Sequence, residues 1–335
     1  MINRIYIEKE VASHNKTLQI CNKFSNASVI DCDHYSEVFN RKAQNFRLQK
    51  KSPGLILAHK HKNLVMPAPS EYSIGGDLNY YFSHMLNCIY DCRYCFLQGM
   101  YRSANYVLFV NYEEFYQQIK LICNSHADKS CHFFSGYDCD SLAMEPVTGF
   151  MQYLLPKISD IPNLLLELRT KSTQIRSLLD IEPINNCVIA YSLLPDRLAK
   201  ALDHKAPDIS SRLASARKLQ DQGWNIGLRF DPLIYDTDLE KTYQTFFADV
   251  ANKLDIEKIH SVSIGSFRLP AHYFNKLSSY YPEDKLITSP FEHSGKSVSY
   301  KNDVKKRLLS YCYQEVCSYY PLEKIFPCEA LEQYI

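Results

Sequence analysis

The sequence is short of glycine, of long apolar runs and of excess charge. Only 10 of its 335 residues are glycine, so glycine-built phosphate-binding loops have little material. No apolar run approaches the roughly 18 residues of a membrane span, and the start, MINRIYIEKE, is charged where a secretory segment is apolar. Lys and Arg number 38 and Asp and Glu 37, a net charge of +1, which excludes a uniformly basic surface for polyanions. These absences predict a cytoplasmic protein without membrane contact.

The composition is otherwise that of a globular protein, with 46% hydrophobic and 22% charged residues. At roughly 150 residues per domain, the length predicts about two domains. The 12 cysteines are unusual for a cytoplasmic chain. In a reducing compartment, cysteines are more often metal ligands, nucleophiles or core residues than disulfide partners.

Periodicity divides the chain into three regions. Residues 1–70 are predicted to form a small N-terminal α/β unit, with short strands near Ile5–Ile7 and Ala27–Ile30. Residues 71–285 alternate strand and helix patterns, and residues 286–335 form a C-terminal appendage with one helix near 302–318. The predicted strands of the middle region are 77–83, 131–136, 164–169, 187–192, 225–230 and 260–266, and the predicted helices are 112–124, 146–157, 172–180, 209–222 and 238–253. Six such units predict parallel strands in an α/β partial barrel.

A cationic segment lies in the N-terminal unit. From Arg41 to Lys62 the chain holds seven Lys or Arg residues and no acid. A solvated loop and a phosphate-binding patch both fit this composition. Within this segment, the sequence His59-Lys60-His61-Lys62 fits either a solvated turn or a phosphate-binding site.

The most specific motif is Cys88-Ile-Tyr-Asp-Cys92-Arg-Tyr-Cys95-Phe96. It follows the first predicted strand of the middle region, at the carboxyl end of a parallel strand, where α/β proteins build their sites. Three thiolates ligate three irons of a [4Fe-4S] cluster and leave the fourth iron open. The alternatives are a structural zinc site that adds His84 as fourth ligand, and three unligated core cysteines.

The motif resembles that of the radical S-adenosylmethionine enzymes, with Tyr94 as the aromatic residue before the last cysteine. Other segments are similar to spore photoproduct lyase and the wider DNA repair photolyase-like family. These segments are Pro69–Ser73, Cys92–Gln98, Tyr106–Tyr112, Leu142–Gly149, Leu168–Ser172, Arg212–Leu219 and Gly223–Ile234. The similarity extends over most of the chain.

The resemblance implies a partial (βα)6 barrel that carries a [4Fe-4S] cluster on Cys88, Cys92 and Cys95. It implies cleavage of S-adenosylmethionine to a 5′-deoxyadenosyl radical, and a carbon–carbon lyase reaction on a thymine dimer in damaged DNA. An electron donor such as a flavodoxin or ferredoxin would be a partner. The residues that match family positions near the cofactor are Tyr94, Gly136, Asp138, Lys171 and Ser192.

Two positions depart from the family pattern. Tyr137 stands where the lyase has a hydrogen-donating cysteine, and Phe96 stands where it has a tyrosine. We therefore expect Cys139, with Tyr94 nearby, to replace the missing donor, while Tyr137 faces the same cavity. Two other functions fit the sequence: a radical enzyme acting on another nucleic acid or a small molecule, and a non-catalytic, zinc-stabilised nucleic-acid-binding protein.

Overall fold

A computed structural model describes residues 2–69 and 72–329. The predicted boundary at Ser70 and Glu71 lies outside the described residues. The strands are β1 (Arg4–Glu8), β2 (Ser28–Cys32), β3 (Leu55–Ala58), β4 (Val65–Pro67), β5 (Leu78–Phe82), β6 (Met85–Leu86), β7 (Asp91–Cys92), β8 (Tyr106–Phe109), β9 (Cys131–Ser135), β10 (Leu164–Thr170), β11 (Cys187–Ser192), β12 (Asp203–His204), β13 (Asn225–Leu233), β14 (Ile259–Ser266), β15 (Arg268–Pro270), β16 (Phe291–Ser294), β17 (Ser297–Tyr300) and β18 (Ile325–Pro327). The helices are α1 (Asn15–Lys23), α2 (Phe46–Gln49), α3 (Leu97–Met100), α4 (Tyr112–Ser125), α5 (Glu145–Thr148), α6 (Phe150–Ile158), α7 (Arg176–Leu179), α8 (Asp196–Leu202), α9 (Ile209–Gln222), α10 (Leu239–Lys253), α11 (Ala271–Tyr280) and α12 (Asn302–Tyr319).

The larger sheet has eight strands in the order β18-β14-β13-β11-β10-β9-β5-β4. Its six central strands, β5 to β14, are mutually parallel, and β4 pairs antiparallel at one edge. The two edge strands do not pair with each other in the described part of the chain, so the barrel is partial. The predicted partial (βα)6 barrel is therefore confirmed.

The predicted strands and helices of the barrel correspond closely to those observed, because each has a strong local pattern. Strand β11 is buried at every position, as expected for a parallel strand covered on both faces. Helix α9 is capped at its C-terminus by Gly223, whose φ of 109° favours glycine. Its N-cap is Asp208, which accepts a hydrogen bond from the Ser211 amide.

Two predicted helices are shorter or broken. The helix expected at 172–180 forms only as α7, since the Ser172 amide donates to the Thr170 hydroxyl and the Gln174 amide to the Ser172 hydroxyl. Such side-chain bonds compete with helical ones. The helix expected at 146–157 divides at Gly149, which has a φ of 57°.

The smaller, N-terminal sheet has the strand order β2-β1-β3-β8-β6. Strand β8 pairs in parallel with β3, although it follows β3 by some fifty residues in the chain. The N-terminal sheet thus takes strands from beyond residue 70, and β18 from the predicted appendage completes one edge of the barrel. Within the described residues, no helix combines the length and apolar character required to cross a bilayer.

Candidate active site

A cavity of about 490 Å³ opens at the carboxyl ends of the parallel strands, where barrel enzymes build their sites. Its volume is typical of sites for small molecules and cofactors. Most of the residues that the sequence singled out contribute to its wall. They are Cys88, Cys92, Tyr94, Cys95, Phe96, Gly136, Tyr137, Cys139, Lys171 and Ser192.

The cysteine motif forms a loop that crosses this cavity after β6. Cys92 lies on β7, which pairs with β12 opposite Asp203. Burial raises the pKa of the Cys88 thiol to about 12 and holds the pKa of Cys92 well above its ordinary value. Burial also raises the pKa of Cys95. The free thiols are therefore neutral, and a metal centre must displace their protons to bind.

The cysteine sulfurs suit a cluster better than a single ion. Among residues 2–69 and 72–329, the three sulfurs do not all lie within 4.8 Å of one another. A zinc ion with Zn–S bonds of about 2.3 Å needs closer sulfurs, whereas a four-iron cluster takes each thiolate on a different iron. His84, the fourth ligand of the zinc alternative, does not line the cavity and stacks on Phe150 with ring centroids 4.3 Å apart.

Ion pairs fix the cysteine loop from two sides. Asp91 accepts from Lys50 at 3.0 Å and from Arg93 at 2.9 Å, and Arg93 also pairs with Asp284 at 3.2 Å. Burial alone would raise the pKa of Asp91, but Lys50 and Arg93 hold it below its usual value. The loop is thus tied to the N-terminal unit and to the segment after α11.

Tyr94 belongs to a buried network behind the cluster loop. Its hydroxyl donates to Asp203, whose other oxygen lies 2.7 Å from a guanidinium nitrogen of Arg212. Burial would raise the pKa of Asp203, but Lys171 and Arg212 hold it below its ordinary value. The Lys171 ammonium lies 5.2 Å from the centre of the Tyr94 ring, which places its positive charge at the cavity wall beside the cysteines.

The turn after β9 carries the remaining predicted residues. Gly136 has a φ of 86°, and a Cβ there would lie 2.6 Å from the Ser141 hydroxyl oxygen, so glycine is required. Tyr137 stacks on Tyr81 at 4.3 Å and lies 5.4 Å from Phe96. The chain turns here and is not extended, yet Tyr137 and Cys139 both reach the cavity.

Asp138 in the same turn is directed away from the cavity. It accepts a hydrogen bond from the Tyr101 hydroxyl at 3.2 Å, and its amide donates to the Ser83 hydroxyl. Burial raises the pKa of its carboxyl. Ser192, in contrast, lines the cavity, and its carbonyl accepts from Arg212 at 3.1 Å.

Sequence reasoning missed four charged residues of the cavity wall: Asp140, Arg169, Asp231 and Arg268. Asp140 organises the wall, since its carboxylate accepts from the Thr170 hydroxyl and the Lys171 amide, both at 2.7 Å. Arg268 pairs with Asp231 at 3.2 Å. The signal was available for Arg169 and Asp231, because both lie in the carboxyl-terminal parts of barrel strands, β10 and β13.

The cationic segment 41–62 does not form one free patch. Lys60 is directed inward, where it donates to the Ser83 carbonyl at 3.2 Å and lies over the rings of Phe109 and Phe115. Lys50 is paired with Asp91, and Arg47 lies 3.3 Å from Glu283. The charge run therefore combines structural cations with exposed ones.

Comparison with known proteins places these features in a family. The family model for spore photoproduct lyase matches residues 3–317. The spore photoproduct lyase of Bacillus subtilis (strain 168) is 22% identical over 294 residues, which cover 84% of this chain and 83% of that protein. That of Geobacillus sp. (strain Y412MC61) is 22% identical over 205 residues and covers 59% of each chain.

Solved structures agree with the fold. A spore photoproduct lyase mutant with bound AdoMet and dinucleoside spore photoproduct matches with a TM-score of 0.85 at 16% identity, over 98% of both chains. A spore photoproduct lyase complexed with dinucleoside spore photoproduct matches with a TM-score of 0.82 over the same shares. At this identity, the match establishes the shared architecture.

The partial barrel, with the cysteine motif at the carboxyl ends of its strands, has the architecture of the radical S-adenosylmethionine enzymes. The chain belongs to the spore photoproduct lyase family. The resemblance stated from the sequence and the lyase class are thereby confirmed. The zinc-stabilised binder and the radical enzyme on another substrate are not favoured.

Proposed function

We propose that this chain repairs DNA by splitting a methylene-bridged thymine dimer back to two thymines. The observation that carries the proposal is the convergence of the cysteine triad and Cys139 on one cavity at the carboxyl ends of the barrel strands. The curated relatives named above are spore photoproduct lyases, and solved family members hold the dinucleoside form of this lesion.

Cys88, Cys92 and Cys95 would hold the cluster, leaving its fourth iron for the amine and carboxylate of S-adenosylmethionine. When bound, the two cofactors supply the 5′-deoxyadenosyl radical that takes a hydrogen atom from the lesion. Lys171 can pair with the methionyl carboxylate, and Tyr94, Gly136 and Ser192 border the same space. Asp138 would act from behind the wall, by holding the turn through Tyr101 and Ser83.

Cys139 is the proposed hydrogen donor to the product radical. Burial raises the pKa of its thiol well above the ordinary value, so the sulfur retains its hydrogen. The S–H bond gives a hydrogen atom more readily than a phenol does, which favours Cys139 over Tyr137. Tyr94 lines the same cavity, and burial and Asp203 hold the pKa of its hydroxyl well above normal, so it would stand as a neutral phenol near the proposed donor. Tyr137, between Tyr81 and Phe96, would pack against the base.

A basic groove beside the cavity would receive the DNA backbone. Its walls include Arg47, Lys50, Lys51 and Lys205. Lys50 also lines the active-site cavity, so the groove and the cavity are adjacent. Lys51 and Lys205 are exposed, and the Lys205 backbone has a φ of 64°, a costly conformation for a lysine. Exposed ammonium groups next to a lesion pocket fit the phosphates that flank a damaged dinucleotide.

The test is turnover on defined lesions under anaerobic, reducing conditions with S-adenosylmethionine. Duplex DNA carrying the methylene-bridged dimer should be converted to the intact strand with two adjacent thymines, with 5′-deoxyadenosine detected alongside. Undamaged duplex of the same sequence and a duplex with a cyclobutane dimer are the controls. Radical formation with repair of the cyclobutane dimer alone, or with no DNA product, would contradict the proposed substrate.

The electron donor would be a small redox protein such as a flavodoxin or ferredoxin. All 12 cysteines are unpaired, which suits the reducing cytoplasm. We assign a DNA-facing role to residues 1–70, the catalytic role to the barrel of residues 71–285, and a covering role to residues 286–335. Two strands pair across these boundaries: β8 of the barrel region joins the N-terminal sheet, and β18 of the C-terminal region joins the barrel sheet.

A further inference from the structure

The edge of the N-terminal sheet brings together two imidazoles and a carboxylate outside the active site. Strands β1, β3 and β8 are parallel neighbours, so their carboxyl ends meet at one edge. Glu10 follows β1, His59 and His61 follow β3, and Glu114 lies in the first turn of α4, after β8. The topology therefore brings together four side chains of types that bind metal ions, from three separate parts of the chain.

One donor atom from each of Glu10, His59 and His61 lies within 4.8 Å of the other two. Nε2 of His61 is 3.0 Å from a Glu10 carboxylate oxygen. The rings of His59 and His61 lie with centroids 4.3 Å apart. A small rotation of these side chains would bring all three donors to bonding distance from one ion.

His59 supplies an independent indication of a ligand. Its Nε2 lies 2.7 Å from a carboxylate oxygen of Glu114, a contact that fixes the ring and leaves Nδ1 with its lone pair. Nδ1 is buried and has no hydrogen-bond partner among the described residues. A carboxylate that orients a histidine so that its other nitrogen faces a metal is the usual outer shell of a histidine–metal site.

The backbone around these side chains is held in place. The His59 amide donates to Glu8 at 2.8 Å, and the Lys60 amide donates to the Asn111 side chain at 3.0 Å. The Lys60 side chain points into the core, away from Glu10, His59 and His61. Its ammonium group therefore does not repel a cation bound by these three residues. Two carboxylates and two imidazoles are donors that favour a divalent ion.

We propose that Glu10, His59 and His61, supported by Glu114, bind a divalent transition-metal ion of the Zn²⁺ class. Two nitrogens and one oxygen form a donor set that suits borderline ions and disfavours Mg²⁺. The ion would join the ends of β1 and β3 and thereby brace the N-terminal sheet. It is separate from the cluster cysteines and does not depend on the proposed reaction.

The test is titration of the cluster-loaded enzyme with Zn²⁺, so that the cysteine triad is already occupied. Isothermal calorimetry should report one Zn²⁺ site, and Zn²⁺ should raise the thermal midpoint while Mg²⁺ does not. His61→Ala and Glu10→Gln, both at exposed positions, should abolish the site. Glu114→Gln should weaken it by about 10- to 100-fold.

His14→Ala is the matched control, because His14 pairs with the Glu113 carboxylate at 3.4 Å and belongs to no three-ligand group among the described residues. It should bind Zn²⁺ as the parent does. Absence of Zn²⁺ binding in the parent would overturn the proposal. So would unchanged binding in His61→Ala, or an equal loss in His14→Ala.

Discussion

At the residue scale, the three cysteines of the motif differ from a core cysteine such as Cys312 in what surrounds them. Cys88, Cys92 and Cys95 share one cavity with the charged side chains Lys171 and Asp140. Cys312, in contrast, is buried in the apolar face of α12 among ordinary core residues. The same residue type therefore occupies two different environments in this chain, a polar cavity wall and an apolar core.

Replacement of Cys88, Cys92 or Cys95 by Ala should abolish cluster binding and all cleavage of S-adenosylmethionine, because each thiolate holds one iron. Iron and sulfide content and the absorbance of the reconstituted protein would measure the loss. Cys317→Ala on α12 is the control and should retain the iron content of the parent. A full four-iron cluster in any of the three variants would disprove the ligand assignment.

Cys139→Ala should separate radical formation from clean repair. The 5′-deoxyadenosine should still form, because Cys139 is not a cluster ligand, but the product radical would lack its hydrogen donor and by-products should replace thymine. Chromatography of the DNA products alongside 5′-deoxyadenosine gives the measurement.

Tyr137→Phe is the companion variant, since it removes the only other hydrogen donor of that turn that faces the cavity among the described residues. It should leave the product distribution unchanged. An unaltered product distribution in Cys139→Ala would remove the thiol from the mechanism.

At the scale of the elements, a buried ion pair connects strands of the barrel sheet. Glu167 on β10 and Arg229 on β13 are almost completely buried, with a guanidinium nitrogen 2.7 Å from a carboxylate oxygen. Arg229 also donates to the Ser261 carbonyl and hydroxyl on β14. The pair thus connects three of the strands whose carboxyl ends form the cavity.

Glu167→Gln should lower the free energy of unfolding by about 3–5 kcal/mol, since it leaves the Arg229 charge buried without its partner. Urea unfolding at neutral pH would measure it. Glu240→Gln, at a surface pair with Arg307, is the control and should change stability little. Equal stability of Glu167→Gln and the parent would show that the barrel does not depend on this pair.

The same carboxylate predicts a pH dependence. Burial by itself would raise the pKa of Glu167, but Arg229 and Arg169 lower it from 4.5 to about 2. A depressed pKa in the folded state gives stability that is present above 4.5 and is lost as the pH falls from 4.5 towards 2. Unfolding titrations across that window should show a smaller loss in Glu167→Gln than in the parent.

At the scale of the whole molecule, the loop of the cysteine motif is where the N-terminal unit meets the last part of the barrel region. Lys50 from the N-terminal unit and Asp284 from the segment after α11 both pair with charges of this loop, Asp91 and Arg93. The Arg93 guanidinium also lies 3.9 Å from the Tyr281 ring centre. The basic groove lies at the same junction, since Lys50, Asp91 and Tyr281 also line it. The proposed DNA-binding surface is therefore next to the ion pairs that hold the cysteine loop.

The groove gives a prediction about DNA affinity. The double variant Lys51→Gln and Lys205→Gln should flatten the dependence of log affinity on log salt by about one to two units, because each ammonium that meets a phosphate releases a counterion. Fluorescence anisotropy with a lesion-bearing duplex over a salt series is the measurement. Lys218→Gln with Lys241→Gln, on the outer helices α9 and α10, matches the charge change and should leave the slope intact. Identical slopes in both double variants would refute the groove as the DNA site.

The sequence by itself determined the barrel and the cluster motif. Strands such as β11 and helices such as α9 were predictable because burial on both faces and a terminal glycine leave local patterns. The triad of Cys88, Cys92 and Cys95 was predictable for the same reason, since its ligands lie within eight residues of one another. Patterns within such short segments can be recognised without knowing which distant residues contact them in the folded chain.

Only the tertiary structure decided what each polar side chain meets. Asp138 faces Tyr101, while Asp140 faces the cavity, because the turn after β9 rotates the chain at Gly136. Asp203 reaches Tyr94 across 109 residues of sequence. Long-range ion pairs also divide the run of cations at 41–62 into buried and exposed members. Partners of this kind depend on how distant strands and loops come together, so no periodicity or spacing in the chain encodes them visibly.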